Sequence, residues 1–243
     1  MMLLENERFD QLIKENLSII QNDDVFSFST DALLLAHLTP LKKKDKVIDI
    51  CSGNGIIPLL LSHRTNMPIE AIEIQPQLVD MAKRSVQYNK LEEQICMYQM
   101  DIKCVKQNFI PSQFDVVTCN PPYFRANQEY QHLKEAHRIA RTEVLCTFLD
   151  CVQSANHLLK QGGKMVVVQR ADRLIDVLSD MRTVGIEPKV IYPIYSSPDK
   201  PNAITVVVVG IKGGKPDVKV MPSFYIYNTD GTYSKSMNEV YYG

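Results

Sequence analysis

Residues 46 to 63 constrain the fold more than any other stretch. Lys46-Val47-Ile48-Asp49-Ile50 has the length and apolar content of a buried strand. Cys51-Ser52-Gly53-Asn54-Gly55 follows as a short loop, and Ile56 to His63 continues as an apolar helix. Strand, glycine loop and helix in this order make the opening of a parallel α/β sheet. Glycines let such a loop bring backbone N–H groups close to a ligand. The dinucleotide fingerprint needs a third glycine at position 58, and that position is Pro58. An acidic residue just before the loop, Asp49, suits a cofactor without phosphates and with positive charge. S-adenosylmethionine, cationic at its sulfur and its amino group, is such a ligand.

The same pattern recurs downstream. Ile69 to Ile74 is a second strand whose Glu73 lies 24 residues beyond Asp49. A ribose-binding carboxylate is expected at about this spacing after the first glycine loop. Glu70 is the alternative, but it faces outward by strand alternation, and Ile74 completes the strand end. Pro76 to Asn89 has helical periodicity, with Pro76 near its start. Cys96 to Asp101 is a third strand. There Asp101 can accept from an adenine amino group while the Ile102 N–H meets a ring nitrogen. Phe114 to Cys119 is a fourth strand, running into Asn120-Pro121-Pro122-Tyr123. Asp49, Glu73, Asp101 and Asn120 thus end four successive strands and should converge on one sheet edge.

Asn120 to Tyr123 have a chemistry of their own. Two prolines fix φ twice and remove two N–H donors, leaving a stiff edge of carbonyl acceptors. The Asn120 side chain adds another acceptor, and Tyr123 a flat face for stacking. An exocyclic amine on an aromatic ring has two N–H donors to match. Asn120 and the Pro121 carbonyl can take both hydrogens and localise the lone pair for attack. The alternative is a proline-rich turn leaving a strand.

Net charge is −1, from 27 basic and 28 acidic residues, so any nucleic-acid partner must be met by local positive charge. Candidates are Arg125, Arg138 and Arg141, the last two sharing one helix face; a solvated helix face is the competing reading. No apolar run is long enough for a membrane span, and residues 1 to 10 do not read as a signal peptide. The cytosol is the expected compartment. The six cysteines form no C-x-x-C pair, and Cys51, Cys96 and Cys119 read as small buried hydrophobes. His132 and His137 lack ligand spacing, so no metal is expected.

The remaining segments complete an α/β layout. Residues 1 to 24 are weakly patterned. Phe26 to Ala36 holds a helix start, with Ser29 or Thr30 as cap and Asp31 in the first turn. Val144 to Leu159 reads as an amphipathic helix closed by Gly162-Gly163. Lys164 to Val168 is a fifth strand, and Arg173 to Thr183 a helix. Only Ser196 to Asn202 separates the strands Val190 to Tyr195 and Ala203 to Ile211, too few residues for a crossover helix, so these two strands should be antiparallel. The expected fold is a Rossmann-like, mostly parallel sheet of seven strands, one antiparallel, with helices on both faces. A single domain is expected over residues 1–243, with an N-terminal helical segment to about 45 and a C-terminal arm from about 213.

Residues 47–55 resemble the cofactor loop of class I S-adenosylmethionine-dependent methyltransferases, departing at Cys51, where that superfamily more often has glycine. Asn120-Pro121-Pro122-Tyr123 resembles their amine-methylating motif. With Phe26 to Ala36 and Ala140-Arg141-Thr142-Glu143, the layout over residues 20–211 is similar to one subgroup, the bacterial tRNA (adenine-N6)-methyltransferases that modify adenine 37 of valine tRNA. The resemblance implies S-adenosylmethionine as cofactor and tRNA as partner. It implies Asn120 to Tyr123 as the catalytic group and a cofactor site of Asp49, Cys51, Gly53, Gly55, Glu73, Ile74, Asp101, Ile102 and Asn120. It also places Thr30 and Asp31 over the methionine end. The motif is shared with enzymes acting on ribosomal RNA guanine, DNA adenine or release-factor glutamine. The glutamine enzymes usually carry a helical domain ahead of the loop, and 46 residues precede Val47 here.

Overall fold

The computed structural model describes residues 3–22, 29–122 and 146–243. Tyr123, Arg125, Arg138, Arg141 and the segment 140–143 lie outside the described residues, as do Phe26 to Phe28. Among the described residues the main sheet has nine strands. Five are mutually parallel: β3 (Val47–Ile50), β4 (Ile69–Glu73), β5 (Ile95–Gln99), β6 (Phe114–Cys119) and β7 (Leu159–Arg170). Beyond β7 lie β9 (Thr205–Lys212) and then β8 (Ile186–Tyr195), with β9 antiparallel to both neighbours. The short connection at 196–202 does produce the antiparallel pair. The two-residue strands β10 (Lys219–Val220) and β11 (Phe224–Tyr225) extend the β8 edge. All seven expected strands are present in a Rossmann-like sheet.

The strand order sets the position of the site. The chain runs from β3 outward through β4 to β5, then returns to lay β6 against the other side of β3. Connections leaving the carboxyl ends of β3 and β6 diverge, and a crevice opens between them. Each strand sends alternate side chains to opposite faces. Val47, Val116, Val166 and Val207 belong to the core beneath α1 (Thr30–Leu38), α2 (Ile56–Ser62) and α3 (Pro76–Tyr88). Ile48, Val117, Val167 and Val208 belong to the opposite core, with α4 (Val105–Asn108), α5 (Phe148–Leu158) and α6 (Leu174–Thr183).

Three expectations require correction. Residues 7–22 are a β-hairpin, not part of a helical segment: β1 (Glu7–Leu12) pairs antiparallel with β2 (Leu17–Asn22). Every residue of β2 is buried, so it shows no alternation from which a strand would be recognised. Its other edge is satisfied by side chains rather than by a strand. The Ser18 N–H donates to Asn89 Oδ1 and the Ile20 N–H to Ser85 Oγ, each at 2.9 Å. Second, α5 is not closed by Gly162-Gly163. It starts from a Thr147–Asp150 capping box and stops at Leu158, where β7 begins; Gly162, at φ 77°, turns the chain inside β7. Third, Cys96 is exposed. In α1, Ser29 occupies the cap position without a side-chain hydrogen bond, and residues 32–36 are all buried.

The end of the chain packs on the body. Tyr225 of β11 lies beside Tyr195, and Tyr227 stacks on Tyr233 with ring centroids 5.3 Å apart. Helix α7 (Lys235–Tyr241) then buries Met237 and Val240 in the α1 core. No helix among the described residues is long and apolar enough to cross a membrane.

A partly buried ion pair ties the hairpin to α3. Arg84 donates to both Glu7 oxygens, at 2.5 and 2.7 Å, and the Glu7 side chain is only 1% exposed. The Arg84 hydrogen bonds hold the Glu7 carboxyl below the ordinary carboxylate range. The pair's contribution is therefore present above the unfolded-chain value and lost as pH falls through the folded one. Glu7→Gln should lower unfolding free energy by about 1–3 kcal/mol at neutral pH. In urea titrations that deficit should shrink as pH is lowered toward about 3. At Gly55, φ is +82° and an added Cβ would stand 3.0 Å from Ala82 Cβ on α3. Gly231, at φ +84°, has open space around it. Both alanine variants carry about 1–2 kcal/mol of backbone strain. The Gly55→Ala variant should be the less stable of the two by a clear margin, because only there must two helices also part.

Candidate active site

The crevice at the β3–β6 divergence is built from four strand ends. From β3 come Cys51, Ser52 and Gly53; from β4, Glu73, Ile74 and Gln75. Beyond β5 come Met100, Asp101 and Ile102, and beyond β6 Asn120 and Pro122. Ile56, Ile57 and Leu78 form an apolar wall, and Cys146 closes another side. The four carboxyl ends expected to converge do so for Glu73, Asp101 and Asn120. Cys51, Gly53, Ile74 and Ile102 join them.

The loop after β3 is tightly wound. Cys51, Gly53 and Gly55 all have positive φ, at 58°, 59° and 82°. Winding turns the Gly53 N–H onto Glu73 Oε2, at 2.9 Å, while Oε1 of the same carboxyl accepts from the Gln75 N–H, also at 2.9 Å. Glu73 is buried, and burial raises its carboxyl above the ordinary range against the opposing pull of these backbone donors. Asp101 is half-buried; its Oδ1 accepts from the Lys103 N–H and so caps the short turn Ile102–Cys104.

Other expected site residues stand back from the crevice wall. Asp49 is fully buried behind the loop and accepts a 2.6 Å hydrogen bond from the Thr118 hydroxyl. Burial pushes its carboxyl up to about 7, with Thr118 and Ser52 pulling down and Glu73 adding to the rise. Gly55 serves helix packing, and Pro121 is buried between the half-buried Asn120 and Pro122 in sequence. Thr30 and Asp31 are half-buried at the start of α1 and are not among the residues lining the crevice.

Sequence reasoning missed the partners that hold the loop. Asn54 is fully buried, and its amide donates to the Ile20 carbonyl of β2 at 3.0 Å, so the hairpin braces the glycine loop directly. Thr118 escaped notice because a threonine inside a strand carries no functional signature. The apolar wall was legible as helix face, though not as a ligand surface.

This architecture is shared with solved structures of other proteins. A predicted O-methyltransferase from Agrobacterium tumefaciens superposes with a TM-score of 0.67 at 17% identity, covering 87% of this chain and 95% of that one. P. horikoshii TYW2, solved in complex with MeSAdo, gives a TM-score of 0.60 at 13% identity over 88% of this chain and 74% of that one. Among curated proteins, the tRNA1(Val) (adenine(37)-N6)-methyltransferase of Histophilus somni is 29% identical over 152 residues, 62% of this chain and 63% of that protein. Its namesake from Yersinia enterocolitica is 32% identical over 141 residues, 57% of this chain and 55% of that protein. The chain thus matches less than two thirds of the length of these relatives. The family model described as the methyltransferase small domain matches residues 16–184, a span that carries β2, the glycine loop and the whole crevice, and the chain belongs to that family.

Proposed function

We propose that the protein is an S-adenosylmethionine-dependent N-methyltransferase acting on the exocyclic amine of a nucleobase, adenine N6 in tRNA, at position 37 of valine tRNA. The observation that carries this reading is the placement of Asn120 and Pro122 in the same crevice as Glu73 and the glycine loop. The names of the matched relatives support the choice of tRNA adenine. A single domain spanning the chain, with its arm folded back, fits such an enzyme.

The crevice fits an adenosine-bearing cation. The buried Glu73 carboxylate has lone pairs left for ribose hydroxyls. Ile74 and Ile102 offer apolar faces to a flat ring beside the Asp101 carboxylate. Gly53, lacking a Cβ, lets the ligand approach the loop backbone. When bound, S-adenosylmethionine supplies an electrophilic methyl group on a positively charged sulfur.

The chain's own residues orient the acceptor. Asn120 Oδ1 and the Pro121 carbonyl accept the two amine hydrogens, turning the nitrogen lone pair toward the methyl donor. Tyr123 stacks on the base, which enters the pocket extruded from its helix or loop. Catalysis is then positioning and electrostatic stabilisation without an enzyme-bound intermediate. The amine proton leaves during or after attack, so no strong general base is needed. Arg125, Arg138 and Arg141 are assigned to phosphates beside the pocket.

Two variants separate binding from chemistry. Asn120→Ala should retain cofactor affinity in calorimetry and lose turnover by about 100-fold or more; undiminished turnover refutes its role. Glu73→Gln places an amide donor against a backbone donor and removes the charge. Its affinity for S-adenosylmethionine should fall about 10- to 150-fold, with Asn120→Ala as the contrasting control. Incubation with labelled cofactor and bulk tRNA should yield N6-methyladenosine on nucleoside analysis. Label in release-factor glutamine and none in RNA would overturn the substrate assignment.

A further inference from the structure

Where Cys51 lines the crevice, cysteines from three separate elements meet. Cys51 belongs to the loop after β3, Cys119 is the last residue of β6, and Cys151 lies in the first turn of α5. Their three Sγ atoms all lie within 4.8 Å of one another, and Cys51 and Cys151 are 4.0 Å apart. All are free thiols. A fourth cysteine, Cys146, precedes α5 and lines the same crevice as Cys51. Spacing along the chain conceals this cluster, because no two of its members form a metal-binding pair in sequence.

We propose that Cys51, Cys119 and Cys151 bind one zinc ion that pins the cofactor loop to β6 and α5. Thiolates bound to zinc at about 2.3 Å in a tetrahedron stand about 3.8 Å apart, close to the Cys51–Cys151 separation before any metal draws them in. The donor set is sulfur alone, set among apolar residues of the α5 core. Such a set favours a thiophilic ion over magnesium or calcium, which take oxygen. A dication also offsets two of the buried thiolate charges, which the apolar surroundings otherwise oppose.

The backbone points the same way. Cys51 holds φ 58°, a conformation that suits glycine and strains a residue bearing a Cβ. At this position the strain delivers a thiol to Cys119 and Cys151, which glycine would not do. Metal ligation gives the strained side chain a structural return.

The test is metal uptake and does not involve methyl transfer. Chain freed of metal by chelation under reducing conditions is titrated with zinc against a chromophoric chelator, and with cobalt(II) to read sulfur-to-metal charge transfer. One zinc per chain at sub-micromolar affinity, a thiolate charge-transfer band and a zinc-dependent rise in Tm are expected. Cys51→Gly relieves the backbone strain and so should fold without metal, yet bind zinc about 100-fold more weakly or not at all. Cys151→Ser should also lose the charge-transfer band. Cys104→Ser, outside the cluster, should bind as the native chain does. The proposal is overturned if the folded native chain takes up no zinc, or if Cys51→Gly binds it with unchanged affinity.

Discussion

One buried carboxylate holds the crevice in shape. Glu73 accepts from Gly53 on one oxygen and from Gln75 on the other, so the end of β4 grips the loop that leaves β3. Removing a carboxylate from water is costly, and two backbone donors offset that cost only while the loop stays wound. Winding in turn requires positive φ at three of the five residues from Cys51 to Gly55. The glycines supply two of these without strain. The chemistry of the strand end and the conformation of the loop are therefore one constraint, and the position of every other lining residue follows from it.

A second layer keeps that constraint from relaxing. Asn54 reaches out of the loop to the Ile20 carbonyl, while Ser85 of α3 and Asn89 just after it bond to Ile20 and Ser18 on the same edge of β2. The hairpin is thus hydrogen-bonded to the loop and to the helix that packs on it, and Arg84 with Glu7 closes the circuit on the outer side. A two-stranded hairpin is marginal on its own. Here its buried strand gains polar partners on one edge and a hydrophobic floor through Ile19 and Ile20. The N-terminal hairpin serves as a brace for the loop.

The parts legible in sequence were those whose pattern is local. Strand runs such as Val47 to Ile50 and Phe114 to Cys119 are recognisable because parallel strands buried on both faces are continuously apolar. Their carboxyl ends point to one edge because parallel topology permits nothing else. The hairpin was illegible for the opposite reason: β2 has no free face to alternate, and its partners Ser85 and Asn89 look like ordinary helix polar residues. Gly162-Gly163 misled because paired glycines after a helical run also serve to bend a strand. The thiol cluster could not be read at all, since Cys51, Cys119 and Cys151 are brought together only by the return of β6 beside β3.

Burial also gives the crevice a preference in charge. Glu73 pays for its isolation with a raised affinity for protons, and Asp49 lies fully buried close behind it. A cation entering beside such groups favours their ionised forms and recovers part of the desolvation cost. A neutral ligand of the same shape recovers none of it. The apolar wall of Ile56, Ile57 and Leu78 binds both alike and adds affinity without discrimination. Any preference for a cationic ligand then rests on buried carboxylates that the loop and the hairpin hold in position.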